Sequence, residues 1–525
     1  TDKIVLEDFW KSKEDVESVR NECYRLMTER DFTYRLLVWG EVRGDNVTEG
    51  NNAPDDITNI LDANLLPTNT YTTWNKFYEV INNCNLVLKY APDVLNEDPD
   101  FTQGDLDVAR GEVLAIRALC HFYLVRTFRN IPLLTEAMVD NSQNLYQAQV
   151  TPIEALDCCL RDLYEAEGLV LTSGNLETTK SYANDRNNKG RITKDAVRTM
   201  IADVLLWKAA FMTYDAHGNT AIAENVYNEC IKYCDLVINT RLDYAKTKYK
   251  DNKFRMPNVI LNDTLPLVYP LESSYSGDNR FPHAPYEYTF ASSCNHFYES
   301  IFEIQHTYVN GQLSYYSNLA PSCLPSYKSE TNLFDGVAIP ELGTEFKSNI
   351  VSRPTKYFYQ EVQPKDGNDL RIDLNMGIRY NGQEFTNGKK TPWMGPKFWC
   401  PNMYQDRDDN NYPIFRYADV VLMIAECCCG LTDEDGFVSR INSVRTRAGL
   451  SSYSFTGDWD VAMNELRNER ARELFGEFQR KFDLVRWGIF YETVMEKNDY
   501  ASLKKNLKPC HRYYPIPDTE VAKSK

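Results

Sequence analysis

Charged side chains are concentrated between Leu466 and Gly488, which makes this stretch the first place to look for chemistry. Acids and bases recur there at steps of three and four residues, so they can pair along one flank of a helix. Paired carboxylates can act as general acid and base, but a ladder that also carries arginines more often consists of satisfied ion pairs. We therefore interpret these charges as structural. They are Glu469, Arg470, Glu473, Glu477 and Arg480, and the apolar residues predicted to pack inward beside them are Leu474, Phe475, Phe478 and Phe482.

Motifs of the common enzyme classes are absent from the sequence. It contains no G-x-S-x-G, no G-x-x-x-x-G-K-[ST], no G-x-G-x-x-G and no H-E-x-x-H, and its six histidines are scattered. A glycan hydrolase needs only two carboxylates at the right separation in space, and the sequence does not measure that separation. We predict that the protein is not an enzyme and keep a hydrolase with an unrecognised carboxylate pair as an alternative.

Cysteine and acid spacing gives no metal site. The 14 cysteines include no C-x-x-C pair, and Cys230 and Cys234 have no histidine nearby. These residues are therefore interpreted as small core hydrophobes. The acidic stretches Asp406 to Asn411 and Asp433 to Gly436 lack full EF-hand spacing and are interpreted as solvated turns. We predict no cofactor and no metal, with a structural cation such as calcium left open.

Aromatic side chains crowd the middle of the sequence, where they stand among serine, asparagine, glycine and proline. An exposed ring can stack on a flat, weakly apolar face, and neighbouring polar groups can bind hydroxyls. Each ring could instead pack into a small local core. The candidate ligand-binding residues of this region are Tyr275, Tyr286, Tyr288, His296, Tyr298, Tyr315 and Tyr316.

Helical periodicity with clear start signals dominates both ends of the chain. Ser12 with Asp15, and Thr151-Pro152 with Glu154, are typical of helix N-termini. Paired helices with short connections predict a mainly α fold, a scaffold of tetratricopeptide-like helical pairs. Helices are predicted over Trp74 to Tyr90, Asp105 to Phe128, Lys194 to Tyr214, Ala223 to Asn239, Tyr417 to Leu431 and Gly436 to Ala448, with two more flanking Gly476.

The segment from about Thr240 to Asn411 has a different character, because proline, glycine, asparagine and tyrosine crowd it and helical periodicity disappears. Strands are predicted over Ser300 to Gln305 and Thr355 to Glu361. The prediction is one structural unit with three parts: residues 1–239 as the N-terminal part of the scaffold, 240–411 as a loop-rich ligand-binding region, and 412–525 as the C-terminal helices that complete the scaffold.

Composition narrows the range of partners. The 525 residues carry 58 basic against 75 acidic side chains, a formal charge of −17. That charge repels nucleic acids and anionic membrane surfaces, so we expect neither as a partner. No run reaches the roughly 20 apolar residues needed to cross a bilayer.

Several separated motifs together resemble the SusD/RagB family of outer-membrane nutrient-binding lipoproteins. The helix that begins at Trp74 is similar to the family's W…Y..I..CN pattern, and IFRYADVVLMIAE to its YR.aDvlLm.AE helix. Arg129-Asn130 replaces the family's usual glycine after the aromatic residue. The matching stretches are Trp74 to Asn85, Gly111 to Ala118, His121 to Leu133, Ile414 to Glu426, Ile441 to Gly449, Leu466 to Gly488 and Tyr513 to Pro517.

The resemblance implies a function as well as a fold. It implies a cell-surface protein of the outer membrane that captures an oligosaccharide and delivers it to a SusC-like TonB-dependent transporter, without catalysis. Membrane contact would be made through an N-terminal lipid anchor whose cysteine is not among these residues.

Family ligand sites often draw on the loop before the Trp74 helix, so Asn69, Tyr71 and Trp74 are further candidate contacts, although Trp74 also fits a core position. A peptide-binding role within the same family is the alternative.

Overall fold

The computed structural model describes residues 6–50, 53–140, 143, 147–172, 187–215, 220–250, 299–305, 308–309, 312–313, 352–364, 367–377, 379–380, 383–384, 393–394, 412–518 and 520. These residues form a mainly helical scaffold, as predicted from the sequence. No helix in this part of the chain combines the length and the apolar character that a membrane crossing needs.

Hydroxyl caps begin three long helices of the N-terminal half. Ser12, Thr102 and Thr151 each accept a hydrogen bond from the backbone N–H three residues on, and the acid at that position bonds back to the cap. The capping predicted at Ser12 and Thr151 is confirmed. The helices are α1 (Leu6–Phe9), α2 (Lys13–Thr28), α3 (Arg30–Gly40), α4 (Asp55–Leu61), α5 (Asn75–Glu97), α6 (Gln103–Phe128), α7 (Pro152–Leu169), α8 (Asn187–Gly190), α9 (Lys194–Asp215) and α10 (Thr220–Lys250).

Successive long helices pack against each other, α5 on α6, α6 on α7, α7 on α9 and α9 on α10. The contact between α6 and α7 is close because Gly111 has no side chain. A Cβ there would lie 2.8 Å from atoms of Leu169 and Val170. Helix α10 extends past Asn239 to Lys250, so it is longer than predicted. The division of the chain at residue 239 stays a prediction.

The C-terminal helices close the scaffold, and α12 packs against α10, α13 and α14. The predicted break at Gly476 is confirmed, since the chain turns there with positive φ at both Gly476 and Phe478. The remaining helices are α11 (Ile372–Asn375), α12 (Tyr417–Leu431), α13 (Glu434–Arg447), α14 (Trp459–Glu473), α15 (Arg480–Arg486), α16 (Phe490–Lys497) and α17 (Ala501–Asn506), with a 3₁₀ turn at Pro509–Arg512.

Strands are short and pair in twos. The longest pair joins β4 to β12 in antiparallel register, with Ile304 opposite Tyr412, which confirms the strand predicted at Ser300 to Gln305. The other pairs are β1 with β7, β2 with β3, β5 with β6, β8 with β11 and β9 with β10. The strands are β1 (Val47–Glu49), β2 (Ile131–Pro132), β3 (Gln149–Val150), β4 (Ser300–Ile304), β5 (Tyr308–Val309), β6 (Gln312–Leu313), β7 (Ser352–Pro354), β8 (Met376–Gly377), β9 (Arg379–Tyr380), β10 (Gln383–Glu384), β11 (Trp393–Met394) and β12 (Tyr412–Arg416).

The strand predicted over Thr355 to Glu361 is wrong. Strand β7 ends at Pro354, and Phe358–Val362 form a π-helical turn. Thr355 starts this turn, because its hydroxyl accepts a hydrogen bond from the Phe358 N–H at 3.1 Å and its carbonyl accepts one from the Tyr359 N–H at 3.3 Å. A capping hydroxyl therefore overrides the β preference of the aromatic residues that follow it.

Cysteines of the described segments line the core, as predicted. Nine of them are buried, whereas Cys429 is half-buried and Cys510 is exposed. The Cys23 and Cys84 sulfur atoms lie 3.8 Å apart between α2 and α5. Both residues are fully buried, so they contribute to packing as small apolar groups do.

A set of buried ions, here called the charge network, joins the C-terminal helices to β4 and β12. Arg371 contacts Glu469 at 2.8 Å and Glu473 at 2.7 Å. Arg416 contacts Glu473 at 2.7 Å and donates two hydrogen bonds of 2.8 Å to Glu477. The full network consists of Arg371, Arg416, Arg447, Glu299, Asp369, Glu469, Glu473 and Glu477.

The structural interpretation of the charges between Leu466 and Gly488 fits this arrangement. Pairing along one helical flank occurs between Glu469 and Arg472, at 2.6 Å, but the other predicted residues find their partners elsewhere. Glu477 lies beyond the end of α14, and its partner Arg416 comes from β12. Arg480 begins α15 and binds Asp45 through two hydrogen bonds of 2.6 and 2.9 Å. Most partners therefore come from distant parts of the chain.

Candidate functional site

The loop that precedes α5 is held by its own asparagine. The Asn69 Oδ1 accepts a hydrogen bond from the Tyr71 N–H at 2.9 Å, and its Nδ2 donates to the Asp56 carbonyl at 2.8 Å. This capping produces a 3₁₀ turn at Thr70–Thr72. Residues 69–73, here called the Tyr71 loop, are thereby held against α4.

A buried arginine supports the Tyr71 loop from below. The Arg35 Nε donates to the Thr73 carbonyl at 2.9 Å, and its Nη2 donates to the Thr70 carbonyl and the Thr73 hydroxyl, both at 2.7 Å. Its Nη1 bonds the Asp31 carbonyl at 2.5 Å. Because a guanidinium presents several donors in a fixed plane, one side chain sets the positions of both ends of the turn.

The Tyr71 ring is the aromatic surface that this loop presents. It stacks on Tyr34 with 6.0 Å between ring centroids and an interplanar angle of 22°, and the Arg35 guanidinium carbon lies 5.9 Å from its centroid. The Trp39 Nε1 donates to the Tyr71 carbonyl at 2.7 Å. The ring is half-buried, while the neighbouring Thr70 is exposed. A rigid, partly exposed ring beside hydroxyl and carboxylate groups can bind a ligand that has an apolar face and polar edges.

The other two predicted contacts of this loop are used by the fold. Trp74 is 2% exposed and packs edge-to-face on Phe128 at 5.1 Å and Tyr78 at 5.7 Å. Asn69 is buried, and both ends of its amide are engaged as described above. In this conformation Tyr71 is therefore the better placed of the three for a ligand. That any of the three binds a ligand stays a prediction.

Seven predicted ligand contacts lie outside the described residues, so their position relative to the Tyr71 loop stays a prediction. They are Tyr275, Tyr286, Tyr288, His296, Tyr298, Tyr315 and Tyr316.

A cavity of about 270 Å³ between α2 and β4 was not foreseen from the sequence. Tyr24 lies at its wall and accepts a hydrogen bond from the Ile192 N–H at 3.0 Å. Burial raises the pKa of the Tyr24 phenol well above its ordinary value, so Tyr24 stays neutral. The polar lining side chains are Asn21, Tyr24, Arg25, Thr28, Arg191, Glu303 and Gln305. Asn21, Tyr24 and Thr28 share one face of α2. This spacing is the sequence pattern from which a polar wall could have been predicted.

Comparison with known proteins places the chain in a family. A model of the "SusD family" matches residues 386–525. A second model, described as "Starch-binding associating with outer membrane", matches residues 5–206. The two matched stretches lie at opposite ends of the chain and together cover more than half of it.

Individual proteins with SusD-like names or folds are similar to nearly the full length of this chain. SusD-like protein P38 of Formosa agariphila is 23% identical over 507 residues, which span 93% of this chain and 86% of that protein. The solved structure of surface glycan-binding protein A from Bacteroides thetaiotaomicron has a TM-score of 0.68 at 18% identity and covers 98% of both chains. A laminarin-binding SusD-like protein has a TM-score of 0.64 at 19% identity, again over 98% of both chains. The chain belongs to the SusD/RagB family, and these structures share its fold.

Proposed function

We propose that the protein is a glycan-binding protein of the outer-membrane surface, which captures an oligosaccharide without altering it. The local observation that carries this proposal is the Tyr71 loop, where Arg35 and Asn69 fix a partly exposed ring. Two proteins of the same fold are named for binding glycans, one of them for laminarin. That naming supports the same class of ligand here.

The loop geometry suits a sugar for a physical reason. A sugar ring has a weakly apolar C–H face that stacks on an aromatic ring, and its hydroxyls need donors and acceptors at the rim. Thr70, Asp56 and Asp31 supply oxygen atoms near Tyr71, and Asp31 is 54% exposed at its side chain. Because hydrogen bonds already order the loop, binding would cost little additional conformational entropy.

The state of the carboxylates in the charge network argues against a hydrolytic site there. Burial would raise the pKa of Glu473, but the guanidinium groups of Arg447, Arg416 and Arg371 hold it well below its ordinary value. The pKa of Glu469 is lowered as well, by Arg371 and Arg472 acting against burial. A general acid needs the opposite shift. We infer that the charge network is not a catalytic pair and that the protein acts without a cofactor.

Delivery to a SusC-like TonB-dependent transporter completes the proposal. It is supported by membership of the family and by the family description that refers to the outer membrane. An N-terminal lipid anchor would hold the protein beside its transporter.

Peptide binding is the second candidate, and the charge near Tyr71 favours it. Asp31 and Asp56 lie beside the loop, and the chain has a formal charge of −17. Acidic groups around an aromatic ring would attract a cationic peptide.

Calorimetry of the purified chain against plant, microbial and host-mucin oligosaccharides, with short cationic peptides as the contrasting set, tests the proposal. We expect saturable binding of one glycan class and no change in the glycan by chromatography. Tyr71→Ala should weaken binding about tenfold or more, because it removes one stacked ring, whereas Tyr71→Phe should retain most of it.

Tyr164→Ala is the matched control, since Tyr164 is an exposed tyrosine on α7. Binding of peptides but no glycan would overturn the ligand class, and release of shorter sugars during incubation would overturn the non-catalytic assignment. Equal affinity of wild type and Tyr71→Ala would exclude the Tyr71 loop from the site.

A further inference from the structure

A second cavity, of about 450 Å³, opens at the C-terminal helices and has no role in the site described above. Its walls come from α14, the first residue of α15, α16 and Tyr357, which precedes the π-helical turn, and none of its lining residues belongs to the Tyr71 loop. Its volume lies in the range of small-molecule sites. The lining residues are Tyr357, Asn464, Arg467, Asn468, Arg480, Ile489, Glu492, Thr493, Glu496 and Lys497.

The walls of this cavity are fixed by contacts made behind them. Arg480 is held by Asp45 at 2.6 and 2.9 Å and donates to the Arg467 carbonyl at 2.8 Å. Asn498, which follows α16, donates to the carbonyls of Gly44 and Val47 at 2.8 and 3.1 Å. The cavity therefore exists before any ligand arrives, which favours binding.

Several polar groups at the rim are not used by the fold. Within the described part of the chain, Glu492, Glu496 and Lys497 have no oppositely charged side chain within 4.0 Å, and the Asn468 amide makes no hydrogen bond. The Lys497 Nζ lies 4.5 Å from the centroid of the Tyr357 ring. An aromatic ring, an ammonium, an amide and two carboxylates thus surround one preformed space.

The balance of charge indicates which ligand fits. The lining carries charges of both signs, because Arg467, Arg480 and Lys497 stand with Glu492 and Glu496, and Asp45 binds Arg480 from behind. A charged ligand would meet like charges as well as opposite ones. A neutral, hydroxyl-rich ligand meets no such conflict, because each hydroxyl can donate to a carboxylate and accept from an ammonium or amide.

We propose that this cavity is a second carbohydrate site, which binds a neutral mono- or disaccharide unit between Tyr357 and α16. The ligand class rests on the proposed function, whereas the position does not. The carboxylates of Glu492 and Glu496 accept hydrogen bonds from sugar hydroxyls, Asn468 and Lys497 donate to them, and the Tyr357 ring borders the sugar face. The pocket would hold a branch or neighbouring unit of a glycan, or a short sugar alone.

Titration with the neutral disaccharides maltose, cellobiose and lactose, compared with glucosamine and glucuronate, tests this second site. The double variant Asn468→Ala/Glu492→Gln changes exposed or half-buried positions, so we expect it to fold. It should lose at least about tenfold in affinity for a disaccharide that Tyr71→Ala still binds. Glu361→Gln, an exposed carboxylate beside the same turn, is the control and should bind as wild type does.

Equal disaccharide affinity of wild type and double variant would overturn the second site. Tighter binding of glucosamine or glucuronate than of the neutral sugars would overturn the ligand class. If wild type binds long oligosaccharides but none of the three disaccharides, the second site fails while the proposed function stands. If it binds no glycan of any length, the proposed function itself fails.

Discussion

The charge network and the Tyr71 loop both depend on buried arginines, but they use them differently. Arg371 and Arg416 are at most 1% exposed and direct their donors mainly at carboxylates that are equally buried. Arg35 is also buried, yet three of its hydrogen bonds go to a surface turn, at the Thr70 and Thr73 carbonyls and the Thr73 hydroxyl, which leaves a half-buried ring above it. The first arrangement stabilises the scaffold, and the second presents a surface to solvent.

This difference shows why the charge network is not the place to look for a binding site. Every carboxylate of the charge network has a guanidinium partner, and burial leaves no space for a ligand between them. Candidate binding groups are found instead where side chains are partly exposed, as at the Tyr71 loop and the C-terminal cavity. Density of charge in a sequence indicates an ion network more often than a reactive site.

Removal of one carboxylate from the charge network should cause the largest loss of stability. Glu473→Gln leaves Arg371, Arg416 and Arg447 facing a neutral amide, and we expect a loss of about 3–5 kcal/mol in the free energy of unfolding because buried charges become unpaired. Denaturant unfolding measures this change. Glu224→Gln on α10 is the control, since Glu224 is exposed, and should stay within about 0.5 kcal/mol. Equal stability of the two variants would contradict the role assigned to the network.

Acid should have the next largest effect on stability, through carboxylates of the network and through Asp483, which pairs with Arg470 and Arg486. Burial opposes ionisation of Glu473, Asp483, Glu469 and Asp369, but neighbouring arginines lower the pKa of each. A lowered pKa in the folded state contributes stability above the unfolded-state pKa of about 4, and that stability is lost as pH falls further.

The part of the unfolding free energy that these carboxylates contribute should therefore be steady above about pH 5 and decline steeply below it, and measurements from pH 7 down to pH 3 test this. Glu473→Gln should show a shallower decline than wild type, because one of the depressed carboxylates is gone. Parallel curves for the two proteins would show that Glu473 does not contribute to the acid sensitivity.

Arg35→Met should have an intermediate effect on stability and, unlike the network variants, should also weaken glycan binding. It removes the donors for the Thr70 and Thr73 carbonyls, so we expect a loss of about 1–3 kcal/mol in stability and about tenfold weaker glycan binding. Arg110→Met, at an ion pair that is 40% exposed on the arginine side, should change neither. Unchanged glycan affinity in Arg35→Met would show that glycan binding does not depend on the Tyr71 loop.

The smallest effect is expected at an exposed ion pair. The Lys11 Nζ and the Glu97 carboxylate lie 3.8 Å apart, and both side chains are more than half exposed. Lys11→Met should change the melting temperature by no more than about 1–2 °C, since solvent and salt screen such a pair. A larger shift would indicate that exposed ion pairs contribute to the stability of this protein more than screening allows.

The helical scaffold could be predicted from the sequence because its signals are local. Capping residues gave the starts of α2 and α7, and helical periodicity gave α6 and α12 close to their observed bounds. The motif order also indicated the family. Thr355 shows the limit of such reasoning, since its hydroxyl starts a helical turn in a sequence that favours a strand.

The site could be predicted less well, because it depends on contacts between distant residues. Arg416 meets Glu477 across 61 positions of sequence and Glu299 across 117. Arg35 reaches Thr73 across 38. Neither cavity has a sequence motif, since the one beside β4 is lined by residues from three separate stretches of the chain and the C-terminal one by residues from four.

The pairing of β4 with β12 has a consequence for how such proteins diversify. Because Ile304 lies opposite Tyr412, the chain positions before and after the segment between β4 and β12 lie side by side on the scaffold. A segment of another length could join the same two positions at a modest entropic cost, because closure entropy rises only slowly with loop length. Relatives could therefore differ in the length of this segment without a change in the scaffold, provided that Asp369 and Arg371 are retained to bind Glu469 of α14.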